Sequence, residues 1–250
     1  MKTVAIINQK GGVGKSTTAL SIAAALREQG KDILLIDLDA QGNLSYNMGA
    51  KMVNYGAAGI LQRPETIKDE IQERGLFDIV PSAPALAAAD KIIDGTGKEY
   101  KLREALEAVK GGYDYCIIDT PPTMGILTIN ALTACDSCVI PTQAEAYSLL
   151  GINQLNGTIE TVRKYCNPSL KVAGIVITRF NGRTIVRREI AEQLERIAEQ
   201  MHTRVFDTRI RECTALVEAA AMQQTIIEYA PTSNAARDYE ALSVELQEVI

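Results

Sequence analysis

The chain has 250 residues, of which 46% are hydrophobic and 23% are charged. These are ordinary values for a globular fold, and they exclude a disordered, collagen-like or low-complexity protein. The 26 Lys and Arg residues against 31 Asp and Glu give a net charge of −5, which excludes a protein that coats DNA through overall positive charge. No apolar run approaches the roughly 18 residues that span a bilayer, and the first residues do not resemble a signal peptide. We therefore expect a cytoplasmic protein, with its five cysteines reduced.

Short apolar runs rich in β-branched residues alternate with longer helical patterns along the chain. The predicted strands are Val4–Asn8, Ile33–Asp37, Phe77–Val80, Tyr115–Asp119, Ser137–Pro141 and Val172–Thr178. The predicted helices are Ser16–Gln29, Lys101–Lys110, Gly125–Ala134, Leu149–Tyr165, Arg183–Met201 and Asn234–Ile250. Because the strands are apolar throughout and alternate with helices, the pattern predicts an α/β fold, a doubly wound, mostly parallel sheet with helices on both faces.

The pattern also predicts how the chain is divided. No Pro-, Gly- or Ser-rich linker interrupts it, so we expect a single domain over residues 1–250. Residues 39–73 are broken by four glycines and predict an irregular, mobile excursion after the second strand.

A glycine-rich loop follows the first predicted strand, with the sequence Gln9-Lys10-Gly11-Gly12-Val13-Gly14-Lys15-Ser16-Thr17. Glycines let backbone N–H groups turn inward around phosphate oxygens, and the next helix points its positive N-terminus at the same place. The loop predicts a nucleotide site in which Lys15, a candidate catalytic residue, reaches the β- and γ-phosphates and the Ser16 hydroxyl binds Mg²⁺. Gln9 stands where the common pattern has glycine, and Lys10 adds a second lysine at the loop's entrance.

Two later strands end in aspartates. Asp37 and Asp39 come at the end of the second predicted strand, and Asp119 ends the fourth. Ligands of open α/β sheets bind at the carboxyl ends of the strands, so these carboxylates should face the phosphates. An apolar strand that ends in aspartate is typical of a residue that holds Mg²⁺ directly or through water, which is the prediction for Asp119. Asp37 could instead cap a turn, and that alternative stays open.

Three motifs together resemble those of the ParA/Soj partition proteins, ATPases with a deviant phosphate loop that are related to MinD. The motifs are Lys10–Thr17, Asp37-Leu-Asp39-Ala-Gln-Gly-Asn and Ile118-Asp119-Thr-Pro-Pro. Further matches extend over nearly the whole chain and include Ile140–Gly151, Thr178–Asn181 and Arg237–Leu242.

The resemblance implies a Mg²⁺-dependent ATPase that forms a homodimer around two ATP molecules. Lys10 would then reach into the partner's site and neutralise charge on the γ-phosphate, as an arginine finger does. Asp39 takes the place of the family's water-activating carboxylate. Thr178, Arg179 and Arg211 fall where family members hold adenine, although Arg211 replaces a proline that is usual there. Both arginines could instead be solvated surface residues.

The family also binds DNA without sequence specificity when ATP is bound, through weak and salt-sensitive contacts. The candidate contacts in this chain are basic residues of the C-terminal third, Arg183, Arg187, Arg188, Arg209 and Arg211. The arginine that usually makes this contact falls on Ala215. The alternative is an ordinary charged helix face, balanced by Glu189, Glu192 and Glu195.

The resemblance further implies a ParB-like centromere-binding partner that stimulates hydrolysis, and association with the nucleoid. A MinD-like regulator would need a basic amphipathic C-terminal helix, and the predicted one is acidic, so no membrane partner is expected. An iron–sulfur carrier would need cysteines that clamp a cluster across the dimer, and Cys135 and Cys138 form only one C-x-x-C. Because the phosphate loop begins at residue 9, we expect no N-terminal helix-turn-helix domain, which argues against a repressor.

Overall fold

A computed structural model describes residues 1–51, 53–181 and 185–250 of the chain. Within these ranges, seven strands form one sheet, and their order across it is β3-β4-β2-β5-β1-β6-β7. The strands are β1 Lys2–Ile6, β2 Ile33–Asp37, β3 Gln72–Arg74, β4 Phe77–Val80, β5 Tyr115–Asp119, β6 Ser137–Gln143 and β7 Lys171–Thr178. Every neighbouring pair is parallel except β3 with β4. The prediction of a mostly parallel sheet is confirmed.

Helices cover both faces of the sheet. The longer ones are α1 Lys15–Glu28, α7 Ile126–Ala134, α8 Ala146–Tyr165, α9 Ile185–Gln200 and α12 Asn234–Val249. The shorter ones are α2 Asn43–Asn47, α3 Gly56–Gln62, α4 Ile67–Glu70, α5 Ala89–Ile92, α6 Lys101–Glu107, α10 Ala215–Ala221 and α11 Ile226–Tyr229. None of the described helices is both long and apolar enough to cross a membrane.

Successive residues of β1 belong to two different apolar cores, because side chains alternate between the faces of a strand. Val4 and Ile6 pack with side chains of α1 and α12 on one face. Ala5 and Ile7 pack with side chains of α6, α7, α8 and α9 on the other. The central strands are therefore buried on both sides, which explains their uninterrupted apolar sequences.

The first strand is displaced from its predicted bounds of Val4–Asn8. It begins at Lys2 and ends at Ile6, because the side chain of Asn8 turns the chain into the loop. The Asn8 carboxamide accepts a hydrogen bond from the backbone N–H of Lys10 at 2.9 Å and donates one to the carbonyl of Pro141 at 2.8 Å. An apolar pattern alone does not show where such a side-chain turn ends a strand.

The prediction of an irregular excursion over residues 39–73 is wrong. The described part of this segment holds α2, α3 and α4 and ends with β3, which pairs antiparallel with β4. Gly56, read in the sequence as a breaker, begins α3 with φ +43°, and an added Cβ would lie 2.3 Å from the carbonyl oxygen of Pro81. This glycine therefore allows a close approach of two backbones. The strand Gln72–Arg74 escaped prediction because its three residues are polar.

Candidate nucleotide-binding site

The phosphate loop joins β1 to α1 at the carboxyl edge of the sheet. Gly14 precedes the helix with φ +90°, a left-handed conformation that is strained for any residue with a Cβ. Lys15 can therefore begin α1 directly after the turn, with the unpaired N–H groups of the first helical turn facing the loop. This is the geometry in which helix N-termini bind phosphate.

Side chains from the ends of neighbouring strands hold the loop in place. The hydroxyl of Thr178, at the end of β7, donates to the carbonyl of Val13 at 2.8 Å. The amide of Gln143, at the end of β6, donates to the carbonyl of Gly12 at 3.1 Å. The sequence had predicted Thr178 near the base and had indicated no function for Gln143. Both come to the loop only through the order of the sheet, in which β6 is the neighbour of β1 and β7 is the neighbour of β6.

Lys15 is a buried cation beside the phosphate loop. It is 7% exposed, and its ammonium donates to the backbone carbonyl of Lys10 at 3.3 Å. Among the described residues it forms no ion pair within 4.0 Å. Burial lowers the pKa of Lys15, while the carboxylates of Asp119 and Asp39 act in the opposite direction. A buried ammonium in this situation is stabilised by an anion, and phosphate oxygens suit the loop around it.

Asp119 lies beside Lys15 and is fully buried. It is the neighbour of Asp37 in the register of β5 and β2. Neither carboxylate oxygen forms a regular hydrogen bond within the described structure. Burial and the nearby Asp37 raise the pKa of Asp119 well above its usual range, and the hydroxyl of Ser16 and the Lys15 ammonium oppose that rise. Carboxylate and hydroxyl oxygens are the ligands that Mg²⁺ prefers, so Asp119 and Ser16 fit this ion.

Asp37 is engaged in local structure. One carboxylate oxygen accepts bonds from the backbone N–H and the hydroxyl of Ser45 at 2.8 and 2.7 Å, and the other accepts from the N–H of Asp39 at 3.1 Å. Burial raises the pKa of Asp37 to about 6. Its hydrogen bonds to Ser45 hold the first turn of α2. The sequence left open whether Asp37 faces the phosphates or caps a turn, and these bonds agree with the cap.

Asp39 keeps one oxygen available. Its Oδ1 accepts a hydrogen bond from the N–H of Gln41 at 3.0 Å, and its backbone carbonyl accepts one from the Ser82 hydroxyl at 2.6 Å. The residue is 8% exposed and lines a cavity of about 480 Å³ together with Pro121 and Pro122. Ser82 had no predicted function. It is the second residue after β4, and a hydroxyl group so close to the carboxyl end of a strand was the signal in the sequence that could have identified it.

Lys10 lies at the surface of the loop and pairs with Glu145 of the same chain. The two side chains are 36% and 46% exposed. The sequence match Ile140–Gly151 contained Glu145 but assigned it no function. Its position two residues beyond β6, the neighbour of β1, places it beside the loop.

A second cavity, of about 440 Å³, opens beside the phosphate loop. It is lined by loop residues and by all three residues predicted to hold adenine, so the structure brings these together. The lining includes Val13, Gly14, Thr17, Thr178, Arg179, Arg211 and Tyr239. We call it the base-side cavity. Tyr239 of α12 was not predicted to be there, because its periodic position in the helix indicated only packing.

The five arginines predicted to contact DNA differ in their surroundings. Arg183 lies outside the described residues. Arg187 lies on α9, but its side chain is also outside the description, whereas Arg188 on the same helix is exposed. The structure therefore supports one accessible cation on this part of α9.

The remaining two arginines are engaged with other side chains. The Arg209 guanidinium lies 4.7 Å from the centre of the Phe180 ring, and its Nη2 lies 3.6 Å from the Glu195 carboxylate. Arg211 pairs with Asp238 of α12 at 2.6 Å. Glu195 is one of the acidic residues that the sequence offered as balancing charges, whereas the pairing of Arg211 with Asp238 was not predicted.

The cysteines do not form a cluster site within the described structure. Cys135 and Cys138 are buried, and burial raises the pKa of both thiols, that of Cys138 to about 12. A neutral, buried thiol is a poor metal ligand. No group of three or more His, Cys, Asp or Glu side chains in the described ranges is arranged to hold a metal ion.

Comparison with known proteins extends these observations. A family model described as an AAA domain matches residues 1–172, and one described as 4Fe-4S iron sulfur cluster binding proteins of the NifH/frxC family matches residues 125–249. A solved structure, the cobyrinic acid a,c-diamide synthase of Mycobacterium smegmatis with bound ADP and magnesium, is 30% identical with a TM-score of 0.84 and covers 99% of this chain and 94% of its own.

Two relatives are more similar in sequence. The sporulation initiation inhibitor protein Soj of Bacillus subtilis is 39% identical, covering 98% of each chain. The chromosome-partitioning ATPase Soj of Thermus thermophilus is 38% identical over 98% of this chain and 95% of its own length. Similarity of this extent, on a shared fold, is similarity within one family: this chain belongs to the ParA/Soj partition ATPases.

Proposed function

We propose that this protein is an ATP-hydrolysing DNA-partition protein, a single ATPase unit over residues 1–250. Its ATP-bound homodimer binds DNA without sequence specificity and is reset when a ParB-like partner stimulates hydrolysis. The observation that carries the proposal is Lys15, a buried ammonium that lacks an ion-pair partner among the described residues and lies at a left-handed glycine turn beside Asp119. The names of the Soj relatives support the assignment to partition.

In this proposal, the loop binds the phosphates of ATP, and carboxylates at the strand ends bind Mg²⁺ and orient water. Backbone N–H groups of the loop and the Lys15 ammonium bind the phosphate oxygens, while Ser16 and Asp119 would hold Mg²⁺. When bound, Mg²⁺ neutralises charge on the β- and γ-phosphates. Asp39 orients the attacking water, because it lies at the same edge and one of its oxygens accepts no hydrogen bond from the described residues.

Lys10 is proposed to act on the partner subunit's ATP. In the single chain its ammonium is bound by Glu145 at the surface, where an ion pair of this exposure is worth at most about 1 kcal/mol. A γ-phosphate with developing negative charge competes well against such a pair. Release of Lys10 from Glu145 is then part of dimer formation.

DNA binding is the part of the proposal that involves α9. Its support is the exposed Arg188 on α9, which the dimer would present twice. We propose that the protein is cytoplasmic and associates with the nucleoid while ATP is bound. It would leave the DNA when ATP is hydrolysed.

Sedimentation velocity with Mg²⁺ and ATP tests the dimer. The wild-type chain should sediment as a dimer with ATP and as a monomer with ADP. Lys10→Ala should bind ATP but remain a monomer, because the trans cation is lost while Lys15 and the loop are intact. Lys110→Ala, which removes an exposed lysine that follows α6 and pairs with Glu107 at the end of that helix, is the matched control and should dimerise normally. A Lys10→Ala chain that dimerises and hydrolyses ATP like wild type would contradict the trans assignment.

A further inference from the structure

One wall of the base-side cavity rests on an ion pair with the C-terminal helix. The Arg211 Nη2 donates to Oδ1 of Asp238 at 2.6 Å, and its Nε donates to both carboxylate oxygens at 3.1 and 3.0 Å. The backbone N–H of Arg211 donates to Oδ2 of the same carboxylate at 2.9 Å. Asp238 is 8% exposed, so the carboxylate is built into the protein and holds one residue by both its main chain and its side chain.

The two partners face different surroundings. Arg211 lines the base-side cavity, and Asp238 is absent from the cavity's lining in the described structure. The carboxylate therefore stands behind the guanidinium. Because Asp238 engages the Nε and Nη2 edge, the plane of the guanidinium is fixed, and Nη1 donates no hydrogen bond to any described residue.

The next residue ties the same helix to the phosphate end of the site. The Tyr239 ring lines the cavity, and its hydroxyl lies 3.2 Å from the hydroxyl of Thr18 on α1. One turn of α12 thus contacts both the base-side wall and the helix that follows the phosphate loop.

We propose that Asp238 is a positioning residue for nucleotide binding, which holds the Arg211 guanidinium as a flat cationic wall against a purine base. A guanidinium whose plane is fixed in this way stacks on the face of an aromatic base. This proposal rests on the proposed ATPase function and adds the base contact to it. It also assigns Arg211 to the nucleotide, since a guanidinium neutralised by Asp238 adds little to a DNA-binding surface.

Calorimetric titration with Mg·ATP and with Mg·tripolyphosphate, which has the phosphates but no base, separates the base wall from the phosphate loop. Asp238→Asn keeps the shape of the side chain and an acceptor for the Arg211 N–H but removes the charge that orients the guanidinium. We expect it to weaken ATP binding about tenfold, which corresponds to about 1.4 kcal/mol. Tripolyphosphate binding should stay within about twofold of wild type, because the loop is untouched.

The double variant and a control complete the test. Arg211→Gln should also weaken ATP selectively, and Arg211→Gln combined with Asp238→Asn should be no weaker than Arg211→Gln alone, because Asp238 acts through Arg211. Glu240→Gln removes the same charge from an exposed position of α12 and should change neither ligand. If Asp238→Asn melts below the assay temperature, Arg211→Lys, which keeps the charge but not the planar fork, provides the same comparison.

Three results with the variants would overturn the proposal. In the first, Asp238→Asn weakens the binding of ATP and of tripolyphosphate equally. In the second, the losses of ATP affinity from Asp238→Asn and Arg211→Gln add in the double variant. In the third, none of these variants changes ATP binding. If the wild-type protein binds tripolyphosphate as tightly as ATP, the base contributes nothing to affinity. That result would contradict the proposed contact between Arg211 and the base, but not the phosphate site. Retention of ATP binding by Lys15→Ala would instead count against the phosphate site itself.

Discussion

Lys15 of the phosphate loop and the arginines around residue 210 differ in how their charges are neutralised. Lys15 is buried among carboxylates with no direct ion pair to any described residue, whereas Arg209 and Arg211 each lie against an acidic side chain, at 3.6 and 2.6 Å. A buried charge that is left unpaired costs stability unless a ligand provides the missing partner. The comparison teaches that a buried cation without a direct partner calls for an anionic ligand, whereas a cation already paired with a carboxylate is held in a fixed place by it.

The largest expected effect follows from replacing the unpaired cation. Lys15→Ala should weaken ATP binding by about 100-fold or more, because a charge-assisted contact to phosphate is lost in a buried site. Calorimetric titration with Mg·ATP measures this, with Lys110→Ala as the control for loss of a lysine. ATP binding that survives at wild-type strength would show that Lys15 is structural and would break the comparison.

Asp39→Asn should separate binding from turnover. The amide oxygen can still accept the Gln41 N–H, so the turn is preserved, but the charge that orients water is lost, and hydrolysis should fall about 100-fold. ATP binding and dimerisation should persist, which gives a trapped dimer by sedimentation.

Asp37→Asn is the matched variant for this test. Asp37 is held by Ser45 and by the N–H of Asp39, so the substitution should lower the melting temperature more than it lowers the turnover per folded molecule. If Asp39→Asn hydrolyses ATP normally while Asp37→Asn is folded but inactive, the two assignments are reversed.

The exposed and the paired arginines should differ in DNA binding. Arg188→Glu should reduce ATP-dependent retention of a random-sequence duplex by about tenfold at low salt, because an accessible cation releases counterions on contact. Arg209→Gln should change it much less, since Phe180 and Glu195 already engage that guanidinium. Fluorescence anisotropy at two salt concentrations, with ATP and with ADP, measures both. Equal losses for the two variants would show that the existing pairs open on DNA.

The smallest expected effect concerns the Lys10–Glu145 pair. Glu145→Gln frees Lys10, so the ATP-bound dimer should form at up to about fivefold lower protein concentration, the limit set by an exposed ion pair of up to about 1 kcal/mol. Sedimentation equilibrium with Mg·ATP measures the dissociation constant. Lys10→Ala in the Glu145→Gln background should remain a monomer. A weaker dimer in Glu145→Gln would instead make Glu145 part of the interface.

Much of the phosphate site followed from sequence because it is local. The strand, the glycines and the helix that carry Lys15 are consecutive, and Gly14 permits the left-handed turn that joins them. The arrival of Asp119 at the same edge follows from the parallel order of β1 and β5, which an alternating strand–helix pattern predicts. The hydrogen-bond partners of Asp37 and Asp39 did not follow, because Ser45 and Ser82 lie on other segments of the chain.

What the sequence alone determined is therefore the fold class, the phosphate loop and the family, all of which depend on periodicity and on residues close together in the chain. The tertiary structure decided which charges are paired, since Glu145 meets Lys10 and Asp238 meets Arg211 only after the sheet and its helices have assembled. It also showed that residues 39–73 hold helices and that Gly56 is a point of close backbone contact. Such contacts join residues from distant parts of the chain, and local pattern carries no information about which of them will meet.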